Sequence, residues 1–148
     1  MTDPFHDRIT TAARGWIGTP YRHQASLKGA GCDCLGLIRG IWRELVGPEP
    51  EIVPPYTPDW SEPQGQEWLM RALSGHFLPA VATQKPGDVL LFRMRSGAVA
   101  KHLGIATNTP GGPGVIHAYS GRAVVESPLG PAWQRRVAAR FNFPERVQ

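Results

Sequence analysis

Between Asp33 and Pro48 the chain places Leu35, Leu37, Ile38, Ile41, Trp42 and Leu45 on nearly every side of a helix, with a cap residue at Asp33 and a stop at Gly47-Pro48. A helix that is apolar all round holds only where other elements cover it, so this segment is expected to be the central helix of a domain. The rest of the chain must supply the cover. Upstream, Asp3 can cap and Pro4 can open a first helix, whose Phe5, Ile9, Ala12, Ala13 and Trp16 form one apolar stripe ending near Gly15 to Gly18. A loop from Thr19-Pro20-Tyr21 through Gly29 and Gly31 then leads to Asp33.

Downstream the pattern changes. Residues 48–65 hold Pro48, Pro50, Pro54, Pro55, Pro58 and Pro63, which excludes regular structure and marks a long surface connection. A short helix around Glu67–Leu73, stopped by Gly75, comes next. After the turn Pro86-Gly87-Asp88 the apolar runs are short: Val89–Phe92, His102–Ala106, Val115–Tyr119 across a Gly111–Gly114 turn, Ala123–Ser127 and Val137–Phe143. Helices first and closely spaced strands second predict an α+β fold with an antiparallel sheet. The 148 residues suit one domain, 1–148, with no internal repeats.

Hydrophobic residues at 41% and charged residues at 19% exclude a disordered or fibrous chain. The net charge of +4 favours anionic partners, but the basic residues are scattered and no nucleic-acid-binding signature accompanies them, so no nucleic-acid partner is expected. No apolar run approaches the roughly 18 residues of a membrane span. The stretch Met1–Asp7 lacks the basic and apolar regions of an export signal, so synthesis in the cytoplasm is expected. Cys32 and Cys34 are too close for a relaxed disulfide, and two thiols cannot complete a zinc site. No cofactor or metal is expected.

Cys34 falls just inside the central helix. Amides and the positive end of the helix dipole favour an anion there, which predicts a lowered thiol pKa and a nucleophile awaiting a base. On position alone, a small buried hydrophobe is the commoner description of such a cysteine. Cys32, in a glycine-flanked loop, reads as structural. Of the five histidines, His102 opens one strand and His117 lies in the next, where an antiparallel pair can bring both to one face. A base needs a group that orients its ring, and His117 could do that for His102; taken singly, a strand histidine is more often a hydrogen-bonded structural residue. His6 and His76 read as surface residues, His23 as a loop residue, Asp88 as a turn-former and Asp33 as the cap.

Five segments carry a resemblance: Gly18-Thr19-Pro20-Tyr21, Gly31-Cys32-Asp33-Cys34-Leu35-Gly36-Leu37, Pro86-Gly87-Asp88-Val89-Leu90-Leu91-Phe92, His102-Leu103-Gly104-Ile105 and Val115-Ile116-His117-Ala118. In this order they resemble the motif set of the NlpC/P60 cysteine peptidases. The resemblance implies a minimal papain-like fold and hydrolysis of peptide bonds in bacterial cell-wall stem peptides, often between D-glutamate and a diamino acid. It implies Cys34 as nucleophile, His102 as general base, His117 as the orienting residue and Tyr21 as an oxyanion or substrate-binding hydroxyl. By its surroundings alone, Tyr21 reads equally as a loop aromatic capping the core. Two departures from the family pattern stand out: Leu35 where Ser is usual, and His23-Gln24-Ala25-Ser26 where Gly-Gly is usual. Both are expected to line the cleft and alter substrate preference. The missing export signal is similar to that of phage-tail and gene-transfer-agent peptidases, which implies tail or hub proteins as partners and action in the target cell's periplasm or wall. Two other roles fit the same residues: a non-catalytic tail-tip or hub protein that binds a partner through Arg93, Arg95 and Lys101, and an acyltransferase acting on amines.

Overall fold

The computed structural model describes residues 3–57 and 65–145. Helix α1 (Pro4–Arg14) begins where Asp3 accepts from the amides of Phe5 and His6, and its stripe Phe5, Ile9, Ala12 and Ala13 is buried together with Trp16. After the loop comes α2 (Cys34–Leu45), capped by Asp33, whose Oδ1 accepts the Gly36 amide at 2.7 Å. Leu37, Ile38, Ile41 and Trp42 are at most 3% exposed, so α2 is the central helix its composition requires. Two glycines let its neighbours approach. A Cβ on Gly40 would lie 2.0 Å from the Trp16 ring, and one on Gly36 would lie 1.9 Å from the Ala25 carbonyl oxygen.

The loop between these helices contains a small antiparallel hairpin, β1 (Ser26–Leu27) and β2 (Gly31–Cys32). Two-residue strands carry no alternation, so the sequence pattern holds no sign of it. Helix α3 (Trp68–His76) runs through Gly75 rather than stopping there. Phe77, just past it, packs on Trp42 and Phe143 with ring centroids 5.2 and 4.9 Å apart, and this packing outweighs the roughly 1 kcal/mol penalty of a helical glycine.

The remaining strands are β3 (Leu78–Pro79), β4 (Val89–Arg93), β5 (Ala100–Thr109), β6 (Gly112–Ala118), β7 (Val124–Pro128) and β8 (Val137–Asn142). They form one six-stranded antiparallel sheet in the order β3-β8-β4-β5-β6-β7. The β5–β6 turn is Pro110-Gly111, and Gly112 to Gly114 belong to β6 rather than to the turn. Gly112 takes φ 120°, and a Cβ on Gly114 would meet Thr107 Oγ1 at 2.7 Å, so these glycines serve the ladder. The last strand does not continue beside β7. A short helix, α4 (Pro131–Gln134), intervenes, and β8 pairs between β3 and β4.

Val89, Leu91, Leu103, Ile105 and Ile116 share one core with α1 and α2. Leu90, Phe92, Ala106, Val115 and Leu129 form a smaller cluster, with Trp133 against it. Asp88 does more than turn the chain: it is 1% exposed and accepts from Arg140 at 2.9 Å and Asn142 at 2.7 Å. His6, expected at the surface, is half-buried against the same group, 3.1 Å from Asn142. The proline-rich segment is anchored at its start, not loose. Trp42 Nε1 donates to the Pro48 carbonyl at 2.9 Å, and Glu49 receives Arg39 and Arg43 at 2.6 and 2.9 Å. Pro58 and Pro63 lie outside the described residues. Among the described residues no helix is long and apolar enough to cross a membrane.

Candidate active site

The β5–β6 ladder runs from Thr109↔Gly112 to Ile105↔Ile116, so the first residues of β5 lie beyond it. The start of α2 fits against that stretch. The Cys34 thiol donates to the Lys101 carbonyl at 3.9 Å, and the backbone amides of Leu103, Leu35 and Cys34 itself point at the sulfur. Cys34 therefore touches the residues on either side of His102. His102 Nε2 in turn lies 2.7 Å from His117 Nδ1, one nitrogen donating and the other accepting. The expected nucleophile, base and orienting residue are thus brought to one place. Phe92, Tyr119 and Trp133 pack around the two histidines, with centroids 5.3–5.9 Å apart among the contacts Phe92–Trp133, His102–Tyr119 and His102–Trp133.

The electrostatics differ from the sequence expectation in one respect. The Cys34 thiol is not lowered; it is pushed up to about 12, first by burial and then by the neighbouring Asp33 carboxylate. The three amides pull the other way, but losing water from a thiolate outweighs them. Burial, with His117 adding to it, lowers His102 to about 3, and burial lowers His117 to about 4. The resting pair is a neutral thiol beside a neutral imidazole.

Cys34 and His102 open into one cleft of about 290 Å³, lined also by Tyr21, His23, Asp33, Tyr56, Lys101 and Tyr119. Tyr21 is held there by a parallel bridge to Cys32 and by its amide, which donates to the Arg122 carbonyl at 3.0 Å. Its hydroxyl is pushed up to about 12 by burial and then by the adjacent Cys34. Cys32 is fully buried outside this cleft. Of the two departures from the family pattern, His23 lines the cleft but Leu35 does not; Leu35 faces a separate apolar pocket with Trp42, Leu69 and Phe77. Arg93 is engaged by Glu67 and by the Ala98 carbonyl, away from the cleft. Among the described residues no cluster of three His, Cys, Asp or Glu side chains could hold a metal ion.

Sequence reasoning missed three contributors. Tyr56 comes from the proline-rich segment and has no pattern around it. Tyr119 and Trp133 wall the histidine pair but lie at a strand end and on a one-turn helix. Asp33 was visible as a cap, yet its second oxygen faces the cleft. It accepts the Gln24 amide at 2.7 Å and the Tyr56 hydroxyl.

No protein-family model and no curated protein matches the sequence. Solved structures do match. The NlpC/P60 domain of the peptidoglycan hydrolase SagA superposes with a TM-score of 0.53 at 24% identity, covering 84% of this chain and 89% of that one. The chain has the NlpC/P60 fold. A Staphylococcus aureus protein of the NLP/P60 family gives a TM-score of 0.57 at 16% identity over 96% of this chain, which spans only 42% of that protein. An N-acetylmuramoyl-L-alanine amidase from Bacteroides uniformis matches at 0.53 and 10% identity, over 95% of this chain and 97% of its own. Within the NlpC/P60 fold, the helix that starts at Cys34 and the sheet that carries His102 form the two walls of the cleft.

Proposed function

We propose that the chain is a cysteine peptidase that hydrolyses peptide bonds in bacterial cell-wall stem peptides. What carries this reading is the chain of contacts from the Cys34 thiol, across the backbone flanking His102, to the 2.7 Å bond between His102 and His117. His102 donates through Nε2 to His117, which leaves Nδ1 as the base. As the sulfur attacks the carbonyl carbon, its proton passes to that nitrogen. A C–S bond forms, and the carbonyl electron pair moves onto oxygen. The Cys34 amide and the Tyr21 hydroxyl serve the oxyanion, where one donor is worth about 3–4 kcal/mol. Collapse expels the amine with the proton from His102, and water, deprotonated by the same ring, releases the acid from the thioester.

Because the resting pair is neutral, the proton transfer belongs to the attack itself, and the imidazolium forms only when charge develops on the substrate. Two of the structural neighbours, a peptidoglycan hydrolase and an N-acetylmuramoyl-L-alanine amidase, support a wall substrate. Defined muropeptides incubated with the parent and with Cys34→Ala test the assignment. Turnover should vanish in Cys34→Ala and persist in Cys32→Ala, and equal turnover in Cys34→Ala and the parent would overturn it.

We further propose, from the sequence resemblance, that the chain is delivered on a phage-like tail. Particles purified from a producing culture should carry the chain in their tails; particles without it would remove this part and leave the hydrolysis intact.

A further inference from the structure

A buried carboxylate, Asp33, lines the cleft, and a residue of the chain itself covers it. Asp33 is 2% exposed; its Oδ1 is used by the helix cap and its Oδ2 faces the cleft. The Tyr56 hydroxyl donates to Oδ2, beside the Gln24 amide at 2.7 Å, with His23 Nδ1 at 3.7 Å. Contacts from His23 and Gln24 fix Tyr56 there. Its carbonyl receives His23 Nε2 at 2.8 Å and Gln24 Nε2 at 2.6 Å, and its ring meets the His23 ring edge-on with centroids 5.1 Å apart. Gln24 holds this position at φ 66°, where a glycine would sit without strain, so the side chain is present despite the backbone conformation. Its amide is what reaches Tyr56. The segment His23-Gln24, at the point where the family pattern has glycines, is thus the holder of a strap drawn from residues 49–57.

A buried carboxylate in a peptide-binding cleft attracts an ammonium group wherever one of its lone pairs is left without a donor. With Tyr56 seated, that acceptor is already filled by an uncharged donor. Building on the peptidase reading above, we infer that Tyr56 is a specificity-determining residue: by occupying Asp33 it makes the cleft indifferent to a free amino terminus, so that the substrate is a stem peptide still acylated at its amino end, as in intact wall. Removing the hydroxyl alone leaves Asp33 with an unfilled acceptor that a substrate ammonium can take.

The test uses one stem peptide in two forms, with a free amino terminus and with that amine acetylated. For the parent, the ratio of kcat/KM values for free over acetylated peptide is expected to stay within about threefold of unity or to favour the acetylated form. In Tyr56→Phe the ratio should rise at least tenfold toward the free amine. Gln24→Gly, which removes one donor to the Tyr56 carbonyl and suits the positive φ, should move it the same way by a smaller factor. A parent that already prefers the free amine tenfold overturns the inference, as does an unchanged ratio in both variants. Binding of both peptides to Cys34→Ala and to Cys34→Ala/Tyr56→Phe, followed by calorimetry, reads the same preference without turnover. Failure of hydrolysis with the predicted shift in binding would sink the peptidase reading and keep this one.

Discussion

A Cβ placed on Gly104 would lie 3.3 Å from Cβ of His117 and 2.5 Å from Cγ2 of Val115. Two residues after His102, β5 therefore passes its neighbour at a distance that only a glycine allows, next to the 2.7 Å bond between His102 and His117. Gly104→Ala should lower stability by about 1–3 kcal/mol, the usual range for overpacking. It should also lower kcat/KM at least tenfold by displacing His117 from His102. Denaturant unfolding and steady-state kinetics check the two effects; a variant with native stability and full activity contradicts the account.

The neutral thiol predicts the pH dependence of alkylation. With Cys34 pushed up to about 12, its thiolate fraction grows about tenfold per pH unit from neutrality to pH 10, and iodoacetamide should label it at that slope. A rate already at its plateau below pH 7 would reveal a resting thiolate–imidazolium pair and contradict the assignment. Mass spectrometry separates Cys34 from Cys32.

Acid should unfold the protein through its histidine pair. The folded values of about 3 for His102 and about 4 for His117 lie below the ordinary 6.5, so their contribution is present above pH 6.5 and lost as pH falls toward 4 and then 3. Between those limits unfolding takes up about two protons, a slope near 2.7 kcal/mol per pH unit. Urea titrations from pH 7 to 4 measure it, and His102→Gln/His117→Gln should flatten the dependence.

In the proposed mechanism His117 acts through His102, so its variants should grade by hydrogen bonding. His117→Ala should lose about 100-fold in kcat, with KM little changed, and His117→Asn should recover part of that loss. Equal defects in both would deny it the orienting role.

At Gly36, where a Cβ would sit 1.9 Å from the Ala25 carbonyl oxygen, Ala should cost about 1–3 kcal/mol and shift the 23–25 loop that carries part of the cleft. The Tyr56 strap is held by that loop, so the free-to-acetylated ratio should move as well.

The α+β layout was legible because it rests on local rules: capping and stop residues bound α1 and α2, and short apolar runs mark β4 to β7; the grouping of Cys34, His102 and His117 was expected only from the order of the five motifs. What sequence could not show depends on distant contacts. The charge state of Cys34 is decided by how completely β5 and α2 exclude water, which no helix-start argument measures. Gly75 reads as a stop, yet Phe77 and its aromatic neighbours hold the helix together across it. The place of β8 depends on which edge of the sheet is open, and Tyr56 reaches Asp33 from a segment whose prolines conceal any periodicity.

The position of β8 also bears on how the molecule is made. Strand β4 leaves the ribosome long before residues 137–142 do, and until they arrive its outer edge, flanked by Val89 to Phe92, has no partner to bond with. A nascent chain stalled in that interval displays an apolar ribbon suited to pairing with another copy, so chaperone demand during synthesis should peak just before the final strand emerges.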